Sequence, residues 1–224
     1  MRQRPLALAP ATLPTFEGFV AGDNTAALLH LHSLPARGAP PVYLWGPAGC
    51  GKTHLLRAAV HARQQAGQRA GAFDAKSAPP WEPAQDWALA VIDDCVLLDP
   101  ARQQAAFALF VEAQTLGLPI VAAGRLPPVD LPLREDLRTR LAWGHVFALQ
   151  PLGDAQTRAA LRREADRRGI LLSDEVMAYL MTHFDRDLGH LMVLLNRLDD
   201  YALAEHRLVT VPLLKRMLVE EAAP

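Results

Sequence analysis

Residues Gly46 to Thr53 read GPAGCGKT, directly after the apolar run Val42, Tyr43, Leu44, Trp45 and ahead of helix-compatible sequence. This is the G-x-x-x-x-G-K-[ST] phosphate loop in its strand–loop–helix setting. Gly46, Gly49 and Gly51 let the backbone approach phosphate oxygens with no Cβ in the way. Successive N–H groups then form an anion-binding nest at a helix N-terminus, where the helix dipole also favours negative charge. Lys52 is expected to reach the β- and γ-phosphates, and the Thr53 hydroxyl to be a ligand of Mg²⁺. A chance glycine-rich turn before a helix is the plain alternative, and the flanking pattern disfavours it.

A chain of 224 residues suits one compact domain, or one domain with a small appendage. Half of its residues are hydrophobic, enough for a sizeable core. No apolar run approaches the length that spans a bilayer, and MRQRPLALAPATLP lacks the apolar segment of a signal peptide. Two cysteines, Cys50 in the loop and Cys95 at the end of an apolar strand, make no disulfide framework. A cytoplasmic, non-membrane protein is the expectation. A formal net charge of −1 gives no general attraction to nucleic acid.

The order of elements predicts an α/β core with a parallel sheet. Residues 1–14 are rich in Pro and Ala and read as a tail without stable structure. A helix is expected over 24–34, capped by Asp23 or Asn24. Strands are expected at 42–45, 70–73, 88–93, 119–123 and 145–149, with helices at 52–66 and 101–116 between them. Strand alternating with helix implies a parallel sheet covered on both faces. The Pro-rich run from Asp74 to Trp87 reads as loop, with Trp81 and Trp87 pinning it to the core. After Pro151 the character changes. Helices are expected over 154–168, 173–184, 187–206 and 211–221, with Gly169 as a stop, Ser173 and Thr210 as caps, and a short strand signal at Leu208–Val209. The expected domains are therefore a tail (1–14), a nucleotide-binding core (15–150) and a helical lid (151–224).

A second group of residues completes the expected site. Leu89, Ala90, Val91, Ile92, Asp93, Asp94 is an apolar strand ending in two acids, and a parallel strand delivers its C-terminal carboxylates to the ligand crevice. Asp93 is expected to hold Mg²⁺ through water, and Asp94 to orient or polarise an attacking water. Arg138 and Arg140 lie in LREDLRTRLAWG, which reads as a helix closing before Trp143. Arg186 lies near the start of the long lid helix. A surface arginine is ordinarily just solvated, but one late in such a core can reach a neighbour's γ-phosphate, a contribution of ~10³–10⁵ in rate. An arginine on a helical lid can fold over the nucleotide held by its own core.

With these residues in view, the chain resembles the AAA+ ATPases, specifically the initiator clade that contains the bacterial replication initiator DnaA. The resemblance covers nearly all of 15–221. It is carried by PTFEGFVAGDN (14–24), YLWGPAGCGKTHLL (43–56), LAVIDDC (89–95), DLRTRLAWG (136–144) and FDRDLGHLMVLLNRLD (184–199). It implies that Phe19, Val20 and Asn24 lie near the adenine base. It also implies that Arg140 is an arginine finger and Arg186 a sensor-2 arginine. The nucleotide-contacting set is then Phe19, Val20, Asn24, Gly46, Pro47, Ala48, Gly49, Cys50, Gly51, Lys52, Thr53, His54 and Arg186. Within it, His54 has packing on the first helix turn as its more ordinary use.

The near-neutral sequence reaches Pro224 just after the expected lid, and a basic helix-turn-helix domain like the initiator's is not expected. Its tail reads Gln3-Arg4-Pro5-Leu6-Ala7-Leu8, similar to the Q-x-x-L-x-L peptide that binds the DNA polymerase sliding clamp, with Gln3, Leu6 and Leu8 as contacts. That combination resembles the Hda family, regulatory inactivators of DnaA, and the LAWG–LQPL segment at 141–152 agrees. The resemblance implies action in trans: held on DNA-loaded clamp, the protein presents Arg140 to ATP bound by the initiator. Its own ADP or ATP, with Mg²⁺ on Thr53 and Asp93, would mainly set conformation. DNA would be met only through the clamp, and homo-oligomerisation stays open.

One departure from the AAA+ pattern bears on turnover. Many AAA+ proteins carry a polar side chain at the end of the fourth strand, whereas the matching positions here are Ala122, Ala123 and Gly124. Weak intrinsic hydrolysis is therefore expected. The alternatives are an autonomous DnaA-like initiator or helicase loader, disfavoured by the charge, and a P-loop small-molecule kinase, disfavoured by a helical domain that follows the core. No metal other than Mg²⁺ is indicated, because His30, His32, His183 and His190 do not converge. The Arg162–Arg163 and Arg167–Arg168 pairs read as a solvated helix face.

Overall fold

The computed structural model describes residues 13–222, with the exception of residue 186. Gln3, Leu6, Leu8 and Arg186 therefore lie outside the described residues. The chain divides into two compact units, Leu13–Pro151 and a second that begins at Leu152.

The first unit is built on five strands: β1 (Val42–Trp45), β2 (Arg69–Phe73), β3 (Trp87–Ile92), β4 (Ile120–Gly124) and β5 (His145–Ala148). All pair in parallel, in the order β2-β3-β4-β1-β5. The helices are α1 (Thr25–His32), α2 (Lys52–Gln65), α3 (Pro100–Leu116) and α4 (Glu135–Ala142). The expected parallel α/β core is thus present.

Strand side chains alternate between two cores, because successive residues point to opposite faces. Val42, Leu44, Leu89, Val91, Val121 and Ala123 pack with Leu55, Leu56 and Ala59 of α2 and Ala27 and Leu31 of α1. Tyr43, Ala90, Ile92 and Ala122 pack on the other face with Ala106, Leu109 and Phe110 of α3 and Leu137 and Leu141 of α4. Each fully buried leucine or isoleucine here contributes about 1.5–3 kcal/mol by leaving water. Both faces being covered explains why β1, β3 and β4 read as unbroken apolar runs rather than alternating ones.

Local chemistry sets the ends of α3. The Asp99 carboxylate accepts the Arg102 N–H at 2.9 Å, Pro100 occupies the first turn, and Gly117 closes the helix in the left-handed region. The loop between β2 and β3 is pinned by Trp81, which is buried and stacks on Phe73 with ring centroids 4.8 Å apart, whereas Trp87, expected in the loop, opens β3.

The cap expected for α1 is not formed. Asn24 ends a 3₁₀ turn over Gly22–Asn24, and its side chain makes no capping bond. A tertiary partner has taken that side chain, as described below.

The second unit packs α5 (Asp154–Arg168), α6 (Asp174–His183), α7 (Leu188–Glu205) and α8 (Val211–Ala222). Leu161, Val176, Leu180, Leu191, Leu195 and Leu214 form its centre with no exposed surface. Gly169 stops α5 in the left-handed region, and the Ser173 hydroxyl accepts the Val176 N–H at 3.3 Å. The short strand signal at Leu208–Val209 is not realised. Among the described residues no strand forms in this unit, and Val209 is instead buried in the helical core while Leu208 points to solvent.

Candidate functional site

The loop that follows β1 holds the backbone geometry that its glycines allow. Gly46, Gly49 and Gly51 have φ of 154°, 76° and 96°, in the left-handed region that other residues seldom adopt. Two of them are also closed to side chains by neighbours. A Cβ on Gly46 would lie 2.4 Å from the Leu149 carbonyl oxygen, and one on Gly51 2.5 Å from the Phe19 ring. Gly51 caps α2, and no side chain caps the helix there, so its first N–H groups face the loop without a side-chain partner.

Lys52 is 7 % exposed, and its ammonium is satisfied by the loop itself. Nζ donates to the carbonyl oxygens of Gly46 at 2.8 Å and Pro47 at 2.7 Å, and lies 3.5 Å from Cys50 Sγ. An unpaired ammonium at that depth would be costly, and these acceptors offset the loss of water. The loop is thus drawn around its own cation. Cys50 is buried beside it, while Pro47, Ala48 and Gly49 are on the surface.

Strand β3 brings its acids to the same place. The Thr53 hydroxyl donates to Asp93 Oδ2 at 2.7 Å, and Asp93 Oδ1 accepts the N–H of Asp94 at 2.9 Å. Asp94 has φ 47° and starts a 3₁₀ turn over Cys95–Leu97. A non-glycine residue in that region carries strain that the surrounding structure must offset. Cys95 lies beneath these acids, and burial pushes its thiol up to about 12, with Asp93 and Asp94 acting in the same direction.

The segment before α1 wraps this loop. Phe19 covers Gly51, and its ring centroid lies 5.5 Å from that of His54. His54 Nε2 lies 2.9 Å from the Thr15 carbonyl oxygen, so this histidine ties the wrapping segment to the first turn of α2. Val20 is half-buried. Asn24 is buried, and its carboxamide makes two bonds of 2.8 Å with the main chain of Gln150. One is Nδ2–H to the Gln150 carbonyl, the other the Gln150 N–H to Oδ1.

The end of β4 carries no polar side chain, and Tyr43 supplies the reason. A Cβ on Gly124 would stand 2.1 Å from Tyr43 Oη, which is fully buried and donates to the Leu126 carbonyl at 3.0 Å. Burial raises the ionisation of this phenol far beyond neutral pH. Arg125, next in the chain, is exposed.

Arg140 stands elsewhere, in the last turn of α4. Its guanidinium lies 5.1 Å from the centre of the Phe107 ring and donates to Gln114 Oε1 at 3.2 Å. Among the described residues no carboxylate pairs with it. Arg134 lies over the same ring at 5.7 Å, so α3 offers a half-buried aromatic shelf to two cations. The shelf is not legible from sequence, since Phe107 reads there as one more apolar residue of an amphipathic helix.

The sheet order, the phosphate loop and the second, all-helical unit define an AAA+ module. Two family matches refine that. Residues 12–71 match the bacterial DnaA ATPase domain, and residues 154–218 match the lid domain of Hda. Together the two matches support a DnaA/Hda-like AAA+ module.

Solved structures agree in fold. Domain III of the Thermotoga maritima replication initiation protein DnaA superposes with a TM-score of 0.76 at 22 % identity, covering 96 % of this chain and all of that one. AMPPCP-bound DnaA from Aquifex aeolicus gives 0.68 at 20 % identity, over 93 % of this chain and 69 % of that one. A Thermotoga maritima RuvB variant gives 0.67 at 14 % identity, over 92 % and 72 %. At these identities the likeness is one of fold.

Among the described residues no helix is long and apolar enough to cross a membrane, and no three His, Cys, Asp or Glu side chains cluster as a metal site.

Proposed function

We propose that this chain is a nucleotide-bound regulator of replication initiation that acts on a DnaA-type initiator. In this reading it binds ADP or ATP in the loop Gly46–Thr53 and supplies Arg140 in trans to ATP held by the initiator. The observation that carries the proposal is the split between a well-formed phosphate loop and a strand end without a polar side chain. Gly124 must remain a glycine against Tyr43 Oη, so no side chain can orient water from that position. Arg140, by contrast, is held on an aromatic shelf by one neutral hydrogen bond, an arrangement that a phosphate could displace at small cost.

The loop suits a nucleotide. Three glycines at positive φ, the α2 N-terminus without a side-chain cap, and a buried lysine are the features phosphate binding needs. A phosphate oxygen would exchange with the carbonyls that now hold Lys52. Mg²⁺ would be held by Thr53 and Asp93 and would supply charge neutralisation between phosphates. Asp94 would orient a water, Phe19, Val20 and Asn24 would flank the base, and His54 would brace the loop from behind. Pro47, Ala48 and Cys50 would contribute through the main chain, and Arg186 from the lid would complete the set.

The tail enters the proposal through Gln3, Leu6 and Leu8 as a clamp-docking peptide, which would bring the protein to replicated DNA through the clamp. Location in the cytoplasm follows from that role. The proposal is tested by conversion of initiator-bound ATP to ADP with DNA-loaded clamp present and absent. Clamp-dependent stimulation supports it. Vigorous hydrolysis by the purified protein alone, indifferent to clamp, contradicts it. Loss of clamp capture in Gln3→Ala with Leu6→Ala tests the tail separately.

A further inference from the structure

We infer that Asn24 is a positioning residue that links nucleotide occupancy to the chain segment leaving the core sheet, a role that rests on the nucleotide reading above. Asn24 occupies the place of a helix cap but does not act as one. It serves a main-chain need 126 residues away.

Strand β5 pairs with β1 as far as Trp45 opposite Ala148, and the Leu149 N–H makes one more bond, to the Trp45 carbonyl at 2.7 Å. Beyond Trp45 the neighbouring chain turns into the phosphate loop, so Gln150 has no strand beside it. Gln150 is exposed, yet its N–H and C=O are both taken by a side chain rather than left to water. The carboxamide of Asn24 carries the same donor and acceptor as a peptide group, and it takes both. A side chain thus stands in for a missing strand neighbour.

Its neighbours make this more than local repair. Asn24 belongs to the segment whose Phe19 ring covers Gly51, the last glycine of the loop. Leu149, one residue before Gln150, places its carbonyl oxygen against Gly46, the first glycine of the loop. The wrapping segment, both ends of the loop and the exit of β5 are therefore in direct contact. Gln150 is followed by Pro151, the last residue of the core unit. A nucleotide seated between the segment 19–24 and the loop would order Asn24 and so tighten its grip on Gln150.

Hydrogen exchange on the full-length protein, read on the peptide covering residues 147–153, tests this. ADP is expected to slow exchange there by about tenfold in the wild type, as local opening becomes rarer. Asn24→Asp keeps the shape but turns a donor into a charge facing the Gln150 carbonyl. Because Asn24 also flanks the base, ADP affinity is expected to fall, so exchange is read at ADP concentrations that saturate each variant, where the slowing should be lost. Asn24→Ser, too short to span both groups, carries the same expectation without added charge. If the wild type binds ADP but exchange at 147–153 is unchanged, the inference is overturned alone. The same holds if either variant keeps the wild-type slowing. If the wild type binds no ADP, the nucleotide reading and the inference fall together.

Discussion

The Thr53 hydroxyl donates to Asp93 Oδ2 at 2.7 Å, which joins the loop after β1 to the end of β3 through their side chains. The bond spans the width of β4, which lies between β1 and β3 in the sheet. Lys52 then sits one residue away with its charge held by loop carbonyls. Lys52→Ala should weaken adenine-nucleotide binding by one to two orders of magnitude, the worth of ~1.5–3 kcal/mol for a charge-assisted bond to phosphate. Titration with a fluorescent ADP analogue measures it. An unchanged affinity would mean that phosphate is bound elsewhere.

Gly51 and Phe19 should be energetically coupled. Gly51→Ala places a Cβ at φ 96° and 2.5 Å from the Phe19 ring. A loss of about 1–3 kcal/mol in unfolding free energy is expected from the backbone strain alone. In a Phe19→Ala background the loss should shrink, because the overlap is gone while the strain remains. A double-mutant cycle from chemical denaturation reads the difference, and strict additivity would show that the ring yields freely.

A polar residue cannot simply be restored at the end of β4. Gly124→Ala should cost about 1–3 kcal/mol by overpacking against Tyr43 Oη. Tyr43→Phe should cost about 1 kcal/mol by leaving the Leu126 carbonyl without its donor. Thermal melts of both single variants test this. A wild-type Tm for Gly124→Ala would show that the tyrosine moves aside.

How much of this was legible in advance follows from physical range. The runs at 42–45, 69–73, 87–92 and 120–124 are apolar and bounded by Gly, Pro or Asp, so strand type and near-exact limits could be read directly. The phosphate loop was legible because its chemistry is local, needing glycines and a lysine at fixed offsets. Asn24 was misread as a cap, since its partner Gln150 is distant in sequence and a cap is the local use of asparagine. The Tyr43–Gly124 contact was equally hidden, because glycine at a strand end looks like a mere absence of side chain. The strand signal at Leu208–Val209 reported only burial of Val209, which a helical core also provides.

Acid should weaken the helical unit through Glu164. Its carboxylate accepts from Arg167 at 2.6 Å and Arg168 at 2.5 Å, and these bonds hold its pKa down from 4.5 to about 2. A carboxyl depressed by folding stabilises above its unfolded value and loses that contribution as pH falls through the folded one. Stability should therefore decline between about pH 4.5 and pH 2, and Glu164→Gln should flatten that slope. The melting temperature of the two proteins across this range decides it. Parallel curves would assign the decline to other carboxylates.

Arg140 is where the account stands or falls. Single-turnover hydrolysis of ATP preloaded on a DnaA-type initiator, in the presence of DNA-loaded clamp, should be accelerated by the wild-type protein. Arg140→Ala should lose that acceleration by about 10³-fold or more, the scale on which arginine fingers act, while keeping its fold and its own nucleotide affinity. Stimulation by Arg140→Ala equal to wild type would contradict the proposal that this arginine acts in trans.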